Sequence, residues 1–124
     1  MHNDFSKLKF GLYARKSSER DDRQVQSIDD QINAMTAKAG HDNIKILETF
    51  SESRSAKKPD NRPEFARMIK QIRAGNINAV ICWQINRLTR NPTDSGILQQ
   101  LLQDEVIQCI VTNDRVYLPS DNEL

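Results

Sequence analysis

The apolar positions of this chain fall into short runs that alternate with longer amphipathic stretches. Four runs have the length and composition of β-strands, and a fifth, VYL at 116–118, is short enough for an edge strand. The four are KFGLYA at 9–14, IKILETF at 44–50, NAVICW at 78–83 and VIQCIV at 106–111. The run at 78–83 is almost continuously apolar, which is typical of a strand buried on both faces.

Three stretches between these runs carry apolar residues at helical spacing. The first begins after Ser27, which suits an N-cap, and is expected to end before Gly40 in a left-handed conformation. The second begins at 62 or 63 and ends at Gly75. The third begins with Asn91 as its cap and Pro92 as its first helical residue. The inward positions are predicted to be Ile28, Ile32, Met35, Ala39, Phe65, Met68, Ile69, Ile72, Ile97, Leu98, Leu101 and Leu102.

Strands and helices therefore alternate along the chain. This order predicts an α/β domain of three layers, with a mostly parallel central sheet of four to five strands and helices on both faces. In such sheets, binding sites form beyond the carboxyl ends of the strands. Cations and hydroxyl groups follow three of these ends, at 15–18, 51–54 and 84–90, and we expect the three segments to meet. The segment 52–61 between them is predicted to be a polar loop.

Length and composition restrict the class of protein. The 124 residues suffice for one domain with a core, and a net charge of +1 means that any affinity for phosphate must come from local clusters. No apolar run suits a membrane span or a signal peptide, so a cytoplasmic protein is expected. Cys82 and Cys109 lie in apolar runs and are expected to be reduced and buried. Neither metal-ligand spacing nor a GxxxxGK[ST] loop occurs, so no metal and no nucleotide cofactor are expected.

Arginine and serine side chains carry the candidate chemistry. Arg15 and Ser17 share one side of an extended chain, so a phosphate gripped by Arg15 would lie near the Ser17 hydroxyl. Arg87 and Arg90 are three residues apart and can face the same way on a helical turn. Two guanidinium groups suit a transition state whose charge is spread over phosphoryl oxygens.

A simpler interpretation is open for each cation. Arg62 lies at the start of a helix, where it opposes the helix dipole, so an anionic partner from the protein or from a ligand is expected, and Asp60 could be that partner. The arginines at 84–90 could form a solvated turn paired with Asp94 or Glu105.

Four motifs together resemble the catalytic domain of the serine site-specific recombinases, the family of resolvases, invertases and large serine integrases. They are YARKSS, SIDDQ, SESRSAKKPDNRPEF and INRLTRNP, in that order, and the resemblance runs from about Phe10 to Tyr117. SIDDQ and TRNPTDSG favour the large integrase type.

The resemblance implies a role for each motif residue. Ser17 falls on the nucleophile of the Y-x-R-x-S motif, and Arg15 falls on its phosphate-binding partner. The S-x-x-x-Q, R-P and D-R-L-x-R motifs add a glutamine and three arginines to the site: Gln31, Arg62, Arg87 and Arg90. All four arginines are implied to bind DNA.

The chain departs from the family pattern at two points. Asn86 stands where the pattern has aspartate, and an amide can keep the hydrogen-bond geometry but cannot take a proton. We expect Asn86 to orient the neighbouring arginines. The segment after Ser17 is longer and more charged than in small resolvases, so the glutamine near the nucleophile could be Gln24 or Gln26.

The implied reaction is an attack of the serine hydroxyl on a DNA phosphodiester. It gives a 5′-phosphoserine, strand exchange and religation, and requires neither metal nor nucleotide. The implied partners are double-stranded DNA and further copies of the protein, as homodimer and tetramer in the full-length enzyme. The family continues with a long dimerisation helix and a DNA-binding region. We therefore expect residues 1–124 to form a single catalytic domain that is a fragment of such a protein.

Two other functions are consistent with the sequence. Asn86 and the missing downstream regions could mark a degenerate recombinase that only dimerises with an active one. An α/β domain of another lineage that binds small phosphate compounds would share the same basic strand ends.

Overall fold

The computed structural model of the protein describes residues 4–16 and 27–121. Within them the chain forms five strands and four helices. The strands are β1 (Phe10–Arg15), β2 (Ile46–Glu52), β3 (Ala79–Cys82), β4 (Cys109–Val111) and β5 (Val116–Tyr117). The helices are α1 (Ile28–His41), α2 (Pro63–Arg73), α3 (Ile85–Leu88) and α4 (Pro92–Gln103). None of these helices has both the length and the apolar character needed to cross a membrane.

The sheet has the order β2-β1-β3-β4-β5. The strands β2, β1, β3 and β4 are parallel, and β5 pairs antiparallel with β4 as the last strand of the sheet. The predicted α/β architecture is therefore confirmed, including the mostly parallel sheet. Since β2, β1 and β3 are neighbours, their carboxyl ends lie side by side at one edge of the sheet.

Two apolar clusters lie on opposite faces of this sheet, because successive side chains of a strand point to opposite sides. On one face, Tyr13 and Val80 pack with the buried sides of α2 and α4. On the other face, Leu12 and Ile81 pack with Met35 of α1. Helices thus cover both faces, as predicted. All the predicted inward positions are buried except three that are partly buried against these clusters: Ile28, Ile32 and Ile97.

The end of α1 differs from the prediction. Gly40 lies inside the helix, and the left-handed residue after it is Asn43, with φ of 58°. The Ile44 N–H donates to the carbonyl of Ala39, which is the six-residue bond of a Schellman motif. Asparagine tolerates this conformation better than most residues, so the helix runs on to His41 and ends there. The predicted start is confirmed, because the Ser27 hydroxyl accepts from the Asp30 N–H.

The last parallel strand is shorter than the apolar run that predicts it. Residues 106 and 107 donate their backbone N–H groups to the Leu101 carbonyl, and this turn passes through Glu105 with φ of 59°. The strand therefore begins only at Cys109. Cys109 and Cys82 are free thiols in the core, as predicted, and burial raises the pKa of each to about 12.

Candidate active site

The guanidinium group of Arg15 joins the ends of three strands. Its side chain is fully buried. Nε donates to the carbonyl of Arg87, Nη1 to that of Arg54 and Nη2 to that of Asn86, each at 2.9 Å. Arg54 follows β2, and the other two residues belong to α3, which follows β3. The predicted meeting of three strand ends is therefore observed, and a buried arginine connects them.

Gln31 and Arg87 hold the backbone at the same point. The Gln31 side chain donates to the Arg15 carbonyl at 3.0 Å and accepts from the Arg15 N–H at 3.3 Å, so it pairs with β1 as a neighbouring strand would. Arg87 Nη1 also donates to the Arg15 carbonyl, at 3.3 Å. The end of β1 is thus fixed from α1 and from α3. The predicted nucleophile Ser17 follows two residues later and lies outside the described residues, as do Ser18 and the two candidate glutamines, Gln24 and Gln26.

Arg62 is paired with Asp94 rather than with Asp60. Nη2 of Arg62 lies 2.9 Å from Oδ2 of Asp94, and only 1% and 8% of the two side chains are exposed, so water scarcely screens the pair. Nη1 donates to the carbonyl of Leu88, and the group stacks over the Phe65 ring at 4.0 Å. Nε has no hydrogen-bond partner in the described part of the chain. The expected anionic partner of Arg62 is therefore an internal carboxylate.

Glu52, the last residue of β2, supplies the cap that α2 lacks. Arg62 occupies the N-cap position, and its side chain accepts no hydrogen bond. Instead the Glu52 carboxylate accepts from the N–H groups of Glu64 and Phe65, at 2.9 and 3.0 Å. It also accepts from the Tyr13 hydroxyl at 2.5 Å, and that hydroxyl accepts from Arg62 Nη1 at 3.2 Å. Glu52 therefore positions Arg62 both through the helix start and through Tyr13.

These side chains form one network, which we call the strand-end cluster: Tyr13, Arg15, Gln31, Glu52, Arg62, Arg87 and Asp94. Burial raises the pKa of Tyr13 well above its usual value, so its hydroxyl keeps the proton that it donates to Glu52. The cluster contains three guanidinium groups and two carboxylates. Its excess of positive charge favours an anion at this edge of the sheet.

Arg87 and Arg90 do not share a helical turn, so that prediction is wrong. The helix α3 ends at Leu88, and Thr89 is extended, with φ of −150° and ψ of 143°. Asn91 is also extended because it caps α4, accepting from the Asp94 N–H at 2.8 Å. Two successive caps leave no room for a turn between them. Arg87 is consequently buried, whereas Arg90 is exposed.

The family model described as "Resolvase, N terminal domain" matches residues 10–123. The chain belongs to this family. The match spans every strand and helix of the described structure, so the strand-end cluster lies entirely within the resolvase domain. A search of curated proteins finds no match.

Solved structures of resolvase-type domains share the fold. The N-terminal catalytic domain of TP901-1 integrase aligns with a TM-score of 0.68 and 22% identity, over 86% of this chain and 77% of that one. A resolvase family site-specific recombinase from Streptococcus pneumoniae aligns with a TM-score of 0.70 and 23% identity, over 94% and 79%. The C-terminal catalytic domain of ISC1926 TnpA, an IS607-like serine recombinase, gives 0.66 and 20%, over 86% and 69%.

Asn86 contacts the resolvase domain's arginines in two ways. Its side-chain oxygen accepts from Arg87 Nε at 3.2 Å, and its carbonyl accepts from Arg15. Both contacts orient a guanidinium group, and neither requires a proton to be lost or gained.

Sequence reasoning missed Glu52 and Tyr13 as members of the cluster, and it considered Asp94 only as a partner for other arginines. A signal for Glu52 existed, because a helix that begins at an arginine lacks its own capping acceptor. An acid at a neighbouring strand end was the available substitute. No comparable signal existed for Tyr13, since an apolar ring in a strand is explained by packing alone.

Proposed function

We propose that this chain is the catalytic domain of a site-specific DNA recombinase in which Ser17 is the nucleophile. The Ser17 oxygen attacks a phosphodiester phosphorus, the bond from phosphorus to O3′ breaks, and the 3′ oxygen leaves with a proton. The 5′ phosphate stays on Ser17 as an ester, and a 3′ hydroxyl reverses the step. The ester retains the free energy of the broken bond, so the step requires no nucleotide cofactor.

The observation that carries this proposal is the fixed end of β1 in a domain of the resolvase family. Arg15 is held through its side chain and its backbone, two residues before Ser17. A nucleophile needs such a fixed approach, because small displacements from the line of attack are costly. The excess positive charge of the strand-end cluster is suited to a phosphate that gains charge in the transition state.

The burial of the arginines refines the roles that we propose for them. Arg90 is exposed and is proposed to contact the phosphate directly. Arg15, Arg62 and Arg87 are buried, and their guanidinium groups hold protein acceptors at the strand ends in place. We propose that these three act mainly as positioning residues. The similar domain named as an integrase makes a mobile element the proposed context. DNA-bound dimers and tetramers are the proposed assembly, as the resemblance to the family implies.

Loss of the Ser17 hydroxyl is expected to abolish a covalent protein–DNA adduct. The chain, or a longer protein that contains it, is incubated with a random-sequence duplex pool, and adducts are separated on a denaturing gel. Ser17→Ala should give no adduct, whereas the neighbouring control Ser18→Ala should retain it. Mass spectrometry of the trapped adduct should place the phosphate on residue 17. An adduct that survives Ser17→Ala would show that another side chain is the nucleophile.

A degenerate, non-catalytic module is the second candidate, and Asn86 is the observation that favours it. If an aspartate at this position must transfer a proton, Asn86→Asp should raise adduct formation by about 10² to 10⁴-fold. If the residue only orients Arg87, as its contact suggests, the rate should change by less than about tenfold, equivalent to about 1.4 kcal/mol. We expect the smaller change, measured as the initial rate of adduct formation beside the unchanged chain.

A further inference from the structure

The loop at 53–61 is fastened to the strand-end cluster through its backbone. The carbonyl of Arg54 accepts from Arg15 Nη1 at 2.9 Å. The carbonyl of Ala56 accepts from Asn91 Nδ2 at 3.1 Å, and the Ala56 side chain is fully buried. Two points of a polar loop are therefore tied to the end of β1 and to the start of α4. The position of the loop is set by the same contacts that organise the candidate site.

The tip of this loop is closed on itself. Asn61 Nδ2 donates to the Ser55 carbonyl at 3.1 Å, and the Lys57 N–H donates to the Ser55 hydroxyl at 3.2 Å. A shallow cavity of about 440 Å³ forms at the tip, lined by Ser55, Lys57, Lys58, Pro59, Asp60 and Asn61. The two lysines are thus presented from a backbone with a defined path, although both are exposed.

Positive charge is concentrated on this loop. Residues 53–61 contain three cations, Arg54, Lys57 and Lys58, and one acid, Asp60, so their net charge is +2. The whole chain carries only +1, and the remaining residues therefore sum to −1. All three cations are exposed and lie beyond the carboxyl end of β2, at the edge of the sheet where the strand-end cluster lies.

We propose that Lys57 and Lys58 bind backbone phosphates of the DNA next to the phosphate that Ser17 attacks. This inference rests on the proposed function. A DNA duplex carries one negative charge per about 1.7 Å of its axis, so a duplex with one phosphate at the strand-end cluster presents others to the adjoining surface. Ammonium groups act there as point charges and read no bases. The loop therefore sets the register of the DNA on the domain and adds affinity that does not depend on sequence.

The salt dependence of DNA binding tests this surface without requiring catalysis. The chain is titrated against a fluorescent duplex of about 20 base pairs at several salt concentrations between about 20 and about 100 mM. Each phosphate contact contributes about 0.9 to the steepness of the fall of log K with log salt. The double variant Lys57→Gln, Lys58→Gln should therefore make this fall shallower by about 1.8. Lys45→Gln is the matched control, because Lys45 is also exposed but precedes β2, at the opposite edge of the sheet.

Three results would overturn the inference: an unchanged slope in the double variant, an equal reduction in Lys45→Gln, or no DNA binding by the unchanged chain. The adduct assay at Ser17 separates this outcome from the proposed function. If the adduct forms but the double variant has an unchanged slope, only the proposed lysine contacts are ruled out. If the slope falls but no adduct forms, the DNA-binding surface is supported and the proposed reaction at Ser17 is ruled out. All three substitutions are on exposed side chains, and equal thermal unfolding would show that the variants are folded.

Discussion

Replacement of Asp94 by alanine is expected to lower the free energy of unfolding by about 3 to 5 kcal/mol. The substitution leaves the Arg62 guanidinium buried without its carboxylate, and it also removes an acceptor of the Asn91 side chain at 2.8 Å. The charge would then be left uncompensated, because only 1% of the Arg62 side chain is exposed. Urea unfolding monitored by the fluorescence of the single tryptophan, Trp83, gives the change directly.

A partly exposed ion pair supplies the control for this prediction. Lys38 and Asp42 are 3.3 Å apart on the surface of α1, with 32% and 26% of their side chains exposed. Lys38→Ala should cost no more than about 1 kcal/mol, since water screens such pairs. The combination of Arg62→Met with Asp94→Leu should lose less than the sum of the two single changes, because it removes both charges together. Equal costs for Asp94→Ala and Lys38→Ala would contradict the buried pair.

Local signals in the sequence were sufficient for most of the fold. The caps at Ser27 and Asn91 and the left-handed Gly75 lie where their chemistry places them. The error at Gly40 arose because asparagine can replace glycine after a helix, and two residues within four positions could serve. Strand bounds were less predictable, since an apolar run does not reveal which of its N–H groups bond to a preceding helix.

The location of the candidate site was predictable from the sequence, but the hydrogen-bond partners of its side chains were not. Parallel strands place their carboxyl ends at one edge, so the sequence could indicate that Arg15 and Arg87 would come together. It could not indicate that their acceptors are backbone carbonyls, because every residue has one and none is marked in the sequence. Whether an arginine faces a ligand or the interior therefore depends on tertiary contacts that no motif contains.

The sign of a stability change distinguishes the two roles of Arg15. Arg15→Ala removes the donor from three carbonyls, in one buried and two part-buried hydrogen bonds, and leaves a void, so the free energy of unfolding without DNA should fall by about 3 to 5 kcal/mol. If Arg15 were instead held in an open site ready to bind phosphate, Arg15→Ala should raise the free energy of unfolding, because residues preorganised for function tend to reduce stability. Urea unfolding in the absence of DNA measures this difference.

Arg90 is the matched control for Arg15, as an exposed arginine of the same candidate set. Arg90→Ala should change stability by no more than about 0.5 kcal/mol and should nevertheless suppress the Ser17 adduct. Arg15→Ala should suppress the adduct and also destabilise the domain. If both variants lose the adduct at unchanged stability, the carbonyl contacts of Arg15 contribute little to the fold without DNA, and Arg15 acts as a phosphate ligand. If only Arg15→Ala is destabilised, Arg15 positions the strand ends and Arg90 contacts the phosphate.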